Sequence, residues 1–232
     1  MHPADAPSGV HRVRERIRKA AVGANRDPSG VRLVAVSKTI SADRVISAIE
    51  DGVDIFGENY SQEAREKILS LSHLTASWHF IGHLQSNKAK YAVGLFDLIH
   101  SVDSLKLASE IDRQAKRIDK TQDILVQVNV SGEKSKSGVS PEDAPALVRS
   151  ISSLAGVRIQ GLMTMPPFFD APEKARPYFR ALRELARDIA RLNLENVDMS
   201  ELSMGMSGDF EAAISEGATL VRVGTAIFGA RP

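Results

Sequence analysis

Lys38 follows the apolar run of Val31–Val36 in "VRLVAVSKT", and a lysine at that point has two readings. Solvent begins at a strand end, so the amine can simply be hydrated. Where a fold gathers its functional groups at strand ends, the same amine is a nucleophile, provided it is partly desolvated and neutral. Far along the chain, "SMGMSGDF" sets Gly205 and Gly208 around Ser207, and "RVGT" sets Gly224 and Thr225 behind Arg222. Glycines let backbone N–H groups approach an anion, and Ser and Thr hydroxyls add donors, which is the make-up of a phosphate cradle. Singly, each glycine could serve only a tight turn; on adjacent strand ends they point together to phosphate. Arg222 is either a donor to the same ligand or one half of an ion pair inside the fold.

These residues need a frame that brings position 38 beside positions 207–225. Strand-like apolar runs alternate with helix-period segments along the whole chain. A first helix is expected over about Val10–Asn25, then a strand at Val31–Val36. Ser41 caps a helix with Val45, Ile46 and Ile49 on one face. "VDIFGEN", "SWHFIG", "LFDLIHSV", "DILVQVNV", "VRIQGLMTM", "SELSMGM" and "ATLVRVGTAIFG" supply seven more strands, with helices between them. Among those helices are Tyr60–Leu71, Leu105–Arg117, one opened by Pro141, a long one over Glu173–Leu194 and a short one at Phe210–Ser215.

Eight strands joined by helix-length connections predict parallel pairing, and eight is the number that closes a (β/α)8 TIM barrel. The chain stops about ten residues after strand eight, too soon for a final helix, so the extra N-terminal helix is expected to take that place in the ring. No GxGxxG turn follows strand one, as an open dinucleotide-binding sheet would require. Residues 1–232 therefore read as one barrel domain.

Composition narrows the function. The 232 residues carry 30 basic and 29 acidic side chains, a formal charge of +1, which lacks the clustered basic excess of a nucleic-acid-binding face. "HRVRERIRK" reads as an amphipathic helix with a basic outer face. There is no cysteine, which suits a reducing compartment, no apolar run near the roughly 20 residues that span a bilayer, and no leader-like N-terminus, so the expected location is the cytoplasm. No His/Asp/Glu spacing resembles a metal-ligand set.

A barrel holds its chemistry at the C-terminal strand ends, with phosphate commonly taken by the loops after strands seven and eight. A lysine facing a phosphate site across that mouth points to pyridoxal 5'-phosphate: its aldehyde forms a Schiff base with the amine, and its phosphate anchors the other end. Arg222 then falls near the pyridine nitrogen. A guanidinium can only donate, so it leaves that nitrogen unprotonated and the electron sink weak.

Seven motifs in order, "AVSKT", "FGEN", "WHFIGHLQSNK", "SKSG", "GLMTM", "LSMGMSGDFEAAI" and "RVGTAIFG", resemble the pyridoxal phosphate homeostasis proteins, the YggS/PROSC family. The resemblance covers Val31–Gly229. It implies a barrel like the N-terminal domain of alanine racemase, with Lys38 as the Schiff-base lysine and Asn59 beside the ring. It further implies Ser207, Gly224 and Thr225 on the phosphate and Arg222 on the ring nitrogen, with Met204 and Met206 flanking the site.

Other residues carry weaker readings. His79 approaches the cofactor or is a buried, hydrogen-bonded histidine; His83 follows at the strand end. Lys134 and Lys136 lie in a loop, where Lys136 is a second cofactor-transfer lysine or a solvated charge. Glu58 pairs with a basic neighbour or with the site lysine. The leading function is a protein that buffers or delivers pyridoxal phosphate without robust catalysis and with no catalytic residue of its own, in transient contact with apoenzymes and itself a monomer. An amino-acid racemase with Lys38 as sole base is the alternative, lacking the opposing tyrosine, since Tyr60, Tyr91 and Tyr178 fall on helices or their starts. A Schiff-base aldolase or phosphosugar isomerase is the third reading.

Overall fold

The computed structural model describes residues 8–133 and 135–229. Eight strands run parallel in sequence order: β1 (Arg32–Val36), β2 (Ile55–Glu58), β3 (Ser77–Phe80), β4 (Leu98–Val102), β5 (Gln122–Gln127), β6 (Val157–Met163), β7 (Val197–Met206) and β8 (Leu220–Val223). β1 pairs with both β2 and β8, and this last pairing, with Val34 opposite Arg222, closes the barrel. The crossovers that parallel pairing demands are α2 (Ala42–Glu50), α3 (Ser61–Ser70), α4 (Ala89–Leu95), α5 (Leu105–Arg117), α6 (Ala144–Ser152), α7 (Arg176–Ala190) and α8 (Phe210–Ser215).

Helix α1 (Gly9–Gly23) precedes β1. Ser8 caps it, its Oγ accepting from the His11 N–H at 3.2 Å. Val10, Val13, Ile17 and Ala21, three and four apart, form its buried stripe. That stripe lies in the ring of helices, where α1 packs against α8 and against α9 (Thr225–Phe228).

Two sequence expectations need correcting. A helix does follow strand eight: beyond Val223 the Gly224 carbonyl accepts from the N–H groups of Ile227 and Phe228, both at 2.9 Å, and winds the one-turn α9. Pro141 does not open α6. Ser140 Oγ accepts from the Asp143 N–H at 3.1 Å, which holds Pro141–Asp143 as a turn, and the helix starts at Ala144 with Pro145 in its first turn.

Side chains alternate between the barrel interior and the helix-facing side. Val34, Ile55, Leu98, Leu125, Met163 and Leu220, one from each of six strands, form an apolar cluster separate from the main core. They fill the interior as a plug. At Gly57, two residues beyond Ile55, neighbouring side chains take the space of a side chain: a Cβ there would lie 2.9 Å from Ile81 Cδ1 and 3.0 Å from Val34 Cγ1. No helix among the described residues is long and apolar enough to cross a membrane.

Candidate functional site

Strand parity builds the site. Two residues past the plug on β1 is Val36, and two past that is Lys38. The same step leads from Ile55 through Gly57 to Asn59, and from Leu220 through Arg222 to Gly224. These positions meet at the C-terminal mouth. Lys38, Asn59, Ser207, Arg222, Gly224 and Thr225 all line one cavity of about 500 Å³. Its apolar wall includes Ile81, Met165, Phe168 and Met206.

The backbone on both sides of Lys38 is held by a charged cluster. Lys67, buried on α3, donates to the Ser37 carbonyl at 2.7 Å, to Glu58 Oε1 at 2.6 Å and to Glu63 Oε1 at 3.1 Å. Ser37 Oγ donates to the same Glu58 oxygen at 2.7 Å, and the Thr39 N–H donates to Glu63 Oε1 at 2.6 Å. Three acceptors use all three ammonium protons of Lys67, which fixes it as a structural cation. Burial pushes the Glu58 carboxyl up, and the Lys67 ammonium opposes that push. Thr39 adopts φ 63°, a region costly for a β-branched residue, at the point where the chain turns away from the lysine.

Arg222 is buried with no carboxylate at ion-pair distance among the described residues. Its acceptors are neutral: the Ser203 hydroxyl and, at 2.9 Å, the Thr164 carbonyl. Burial pushes the guanidinium down to about 10, which still leaves it charged at neutral pH. The alternative of a contact ion pair thus falls away; Asp209, on the same cavity, favours the charged guanidinium only from beyond that distance.

The two glycine-containing loops meet through Ser207, whose Oγ accepts from the Gly224 N–H at 3.3 Å. Asp209 braces the first loop: its Oδ1 accepts from the Met206 N–H at 2.6 Å, and its own N–H donates to the Met206 carbonyl at 3.1 Å. Burial pushes this carboxyl up. At Gly208, which lines the cavity, an added Cβ would meet no atom within 4 Å. The loop after β3 lies against Asn59, with a Cβ at Gly82 falling 2.3 Å from the Asn59 carbonyl oxygen. That contact only glycine permits.

The structure also places the other residues singled out in the sequence. Met206 lines the cavity and Met204 is in the core. His79 does not line it; its Nδ1 lies 3.0 Å from His100 Nε2 in the barrel interior. His83 and Lys136 line an adjoining recess with Met165 and Ile81. Lys136 Nζ is 3.4 Å from Glu133, in a loop closed by a bridge between Val128 and Val139. Lys134 lies outside the described residues. Glu58 takes Lys67 as its basic neighbour, and Lys67 is the residue the sequence reading missed. Its signal was a lysine three positions after Ala64, on the inner stripe of α3. Among the described residues, no tyrosine lines the cavity.

Residues 10–232 match the model of the alanine racemase N-terminal domain family. Over 222 residues the chain is 46% identical to the pyridoxal phosphate homeostasis protein of Aquifex aeolicus (strain VF5), covering 96% of each chain. The chain belongs to the pyridoxal phosphate homeostasis protein family. The family member of Escherichia coli (strain K12) is 39% identical over 231 residues, 98% of this chain and 97% of that one. PipY of Synechococcus elongatus, a solved structure with pyridoxal phosphate bound, superposes with a TM-score of 0.81 at 38% identity, covering 94% of this chain and all of its own. An alanine racemase from Clostridium difficile has a TM-score of 0.72 at 16% identity and is covered over 57% of its length, a likeness of fold.

The cavity fits the cofactor that the family's name carries. It offers an amine, a charged guanidinium with no carboxylate at ion-pair distance among the described residues, two hydroxyls, and a glycine whose Cβ position is open. Asn59 Oδ1 is buried there without a hydrogen-bond partner among the described residues, an orphan of the kind a ligand donor satisfies.

Proposed function

We propose that this cavity holds pyridoxal phosphate, and that the protein stores the cofactor and hands it on to apoenzymes in the cytoplasm, as a monomer of one barrel, without robust catalysis of its own. The observation that carries the reading is the convergence of Lys38, Arg222 and the Ser207/Thr225 loops on one cavity, from positions as far apart as 38 and 225. When bound, pyridoxal phosphate supplies an aldehyde that condenses with a primary amine.

Lys38 would give that amine, with its backbone fixed from both sides by Glu58, Glu63 and Lys67. Ser207, Gly224 and Thr225 would hold the phosphate through hydroxyl and N–H donors. Arg222, a donor only, would face the ring nitrogen and place no proton on it, which keeps carbanion stabilisation weak. Asn59 would lie beside the ring. The names of the relatives and the cofactor-bound neighbour support this reading. So does a cavity without a tyrosine among the described residues.

The test is borohydride reduction of the loaded protein followed by peptide mass spectrometry. A pyridoxyl group on Lys38, absent from Lys38→Ala, is the expected result. An adduct of unchanged stoichiometry in Lys38→Ala would make another lysine the principal site.

A further inference from the structure

Four buried polar side chains run in contact through the barrel interior, from the cavity wall on β8 to β3. Arg222 Nη1 donates to Ser203 Oγ on β7; Ser203 Oγ lies 2.9 Å from His100 Nδ1 on β4; His100 Nε2 lies 3.0 Å from His79 Nδ1 on β3. Ser203 and His100 have no solvent exposure, and His79 and Arg222 keep 4% each. We propose that Ser203, His100 and His79 form a hydrogen-bond chain of one fixed polarity that positions Arg222, the guanidinium being its donor end. The functional half of this rests on the reading of Arg222 as a cofactor-facing residue; the polarity does not.

The direction follows from counting protons. A guanidinium has no acceptor, so Ser203 Oγ must accept from it. The hydroxyl has one proton of its own, and beyond Arg222 its sole hydrogen-bond partner among the described residues is His100 Nδ1. Were Nδ1 protonated, the buried Ser203 proton would have no acceptor. His100 Nδ1 is therefore the acceptor, and the neutral ring carries its proton on Nε2. That proton points to His79 Nδ1, which must also accept, so His79 is an Nε2–H ring as well. A proton added to His79 Nδ1 would set two N–H groups against each other at 3.0 Å, and one added to His100 Nδ1 would leave the Ser203 proton without an acceptor. Burial also pushes both rings down, His79 to about 4, and neighbouring Arg32 acts the same way on each.

The consequence is mechanical as well as electrostatic. Thr164 holds one arm of Arg222 and Ser203 the other, so the guanidinium plane is set by β7 and the residue that follows β6. Neither partner is anionic, so the chain orients the cation without neutralising it.

The polarity is tested in the cofactor-free full-length protein by long-range proton–nitrogen NMR of labelled histidines, assigned with His79→Gln and His100→Gln. Neutral Nε2–H rings at both positions are expected at pH 7; an Nδ1–H or a charged ring at His100 overturns the chain. Positioning is tested by titrating pyridoxal phosphate into wild type, Ser203→Ala and Ser203→Thr while recording absorption spectra. Ser203→Ala should weaken binding about tenfold and shift the bound cofactor's band, and Ser203→Thr, which keeps the hydroxyl, should recover both. Wild-type affinity and spectrum in a folded Ser203→Ala would overturn the positioning role. If Ser203→Ala does not fold, the NMR result on the unmodified chain decides the polarity. Failure of wild type to bind would instead sink the cofactor reading and leave the NMR result standing.

Discussion

Lys67 Nζ lies 2.6 Å from Glu58 Oε1, a carboxylate with no solvent exposure, and the pair sits directly beneath the backbone that carries Lys38. The two residues are nine positions apart, on α3 and at the end of β2. Their contact ties the helix to the site.

Removing one member of this pair leaves a buried charge uncompensated. Lys67→Met should cost about 3–5 kcal/mol of unfolding free energy, whereas Glu58→Leu combined with Lys67→Met should recover much of it. Urea denaturation measures both. A single-variant loss below about 1 kcal/mol would show that Glu63 and solvent carry the load instead.

The buried histidines set an acid limit. His79 is held down to about 4 from an ordinary 6.5, and His100 is lowered too, so the unfolded chain binds more protons between those values. Stability is then complete above about pH 6.5 and is lost as pH falls toward 4, by about 3 kcal/mol for His79 alone. Unfolding free energies at pH 7.5, 6.5 and 5.5 should fall along that series, and less steeply in His79→Gln. A flat wild-type series contradicts the burial of neutral rings.

The loop hydroxyls should discriminate by phosphate. Ser207→Ala with Thr225→Val is expected to weaken pyridoxal phosphate binding about 10- to 100-fold while leaving pyridoxal, which has no phosphate, unchanged. Fluorescence or absorbance titration of both ligands gives the comparison. Equal losses for both would move the phosphate elsewhere in the cavity.

Weak carbanion stabilisation has its own test. The loaded protein, incubated with a panel of L-amino acids, should give D-isomers no faster than free pyridoxal phosphate at equal concentration. Chiral chromatography showing turnover well above that background would restore the racemase reading.

The barrel was legible because eight apolar runs and their spacing leave few other topologies. The mouth residues were legible too, since strand ends are readable from sequence and a glycine-flanked serine or threonine marks a close approach. What sequence did not show is the wiring behind them. Ser203 and His100 are 103 positions apart, and nothing in the local pattern of β4 or β7 announces that they touch. Lys67 hid for a related reason: a lysine on a helix is read as surface until the helix's inner face is known. The short α9 escaped because a single turn leaves almost no periodic trace.

The apolar plug formed by Val34, Ile55, Leu98, Leu125, Met163 and Leu220 closes the barrel interior one layer below Val36 and Arg222, which line the cavity. A vessel stopped at its base is filled and emptied through one opening. Whatever occupies the cavity must arrive and depart past the same rim, where Phe168 stands 88% exposed beside Met165 and Met206. Uptake and discharge would then be one path travelled in opposite directions, so a change at that rim should slow or speed both together, altering exchange of a bound molecule more than the amount held.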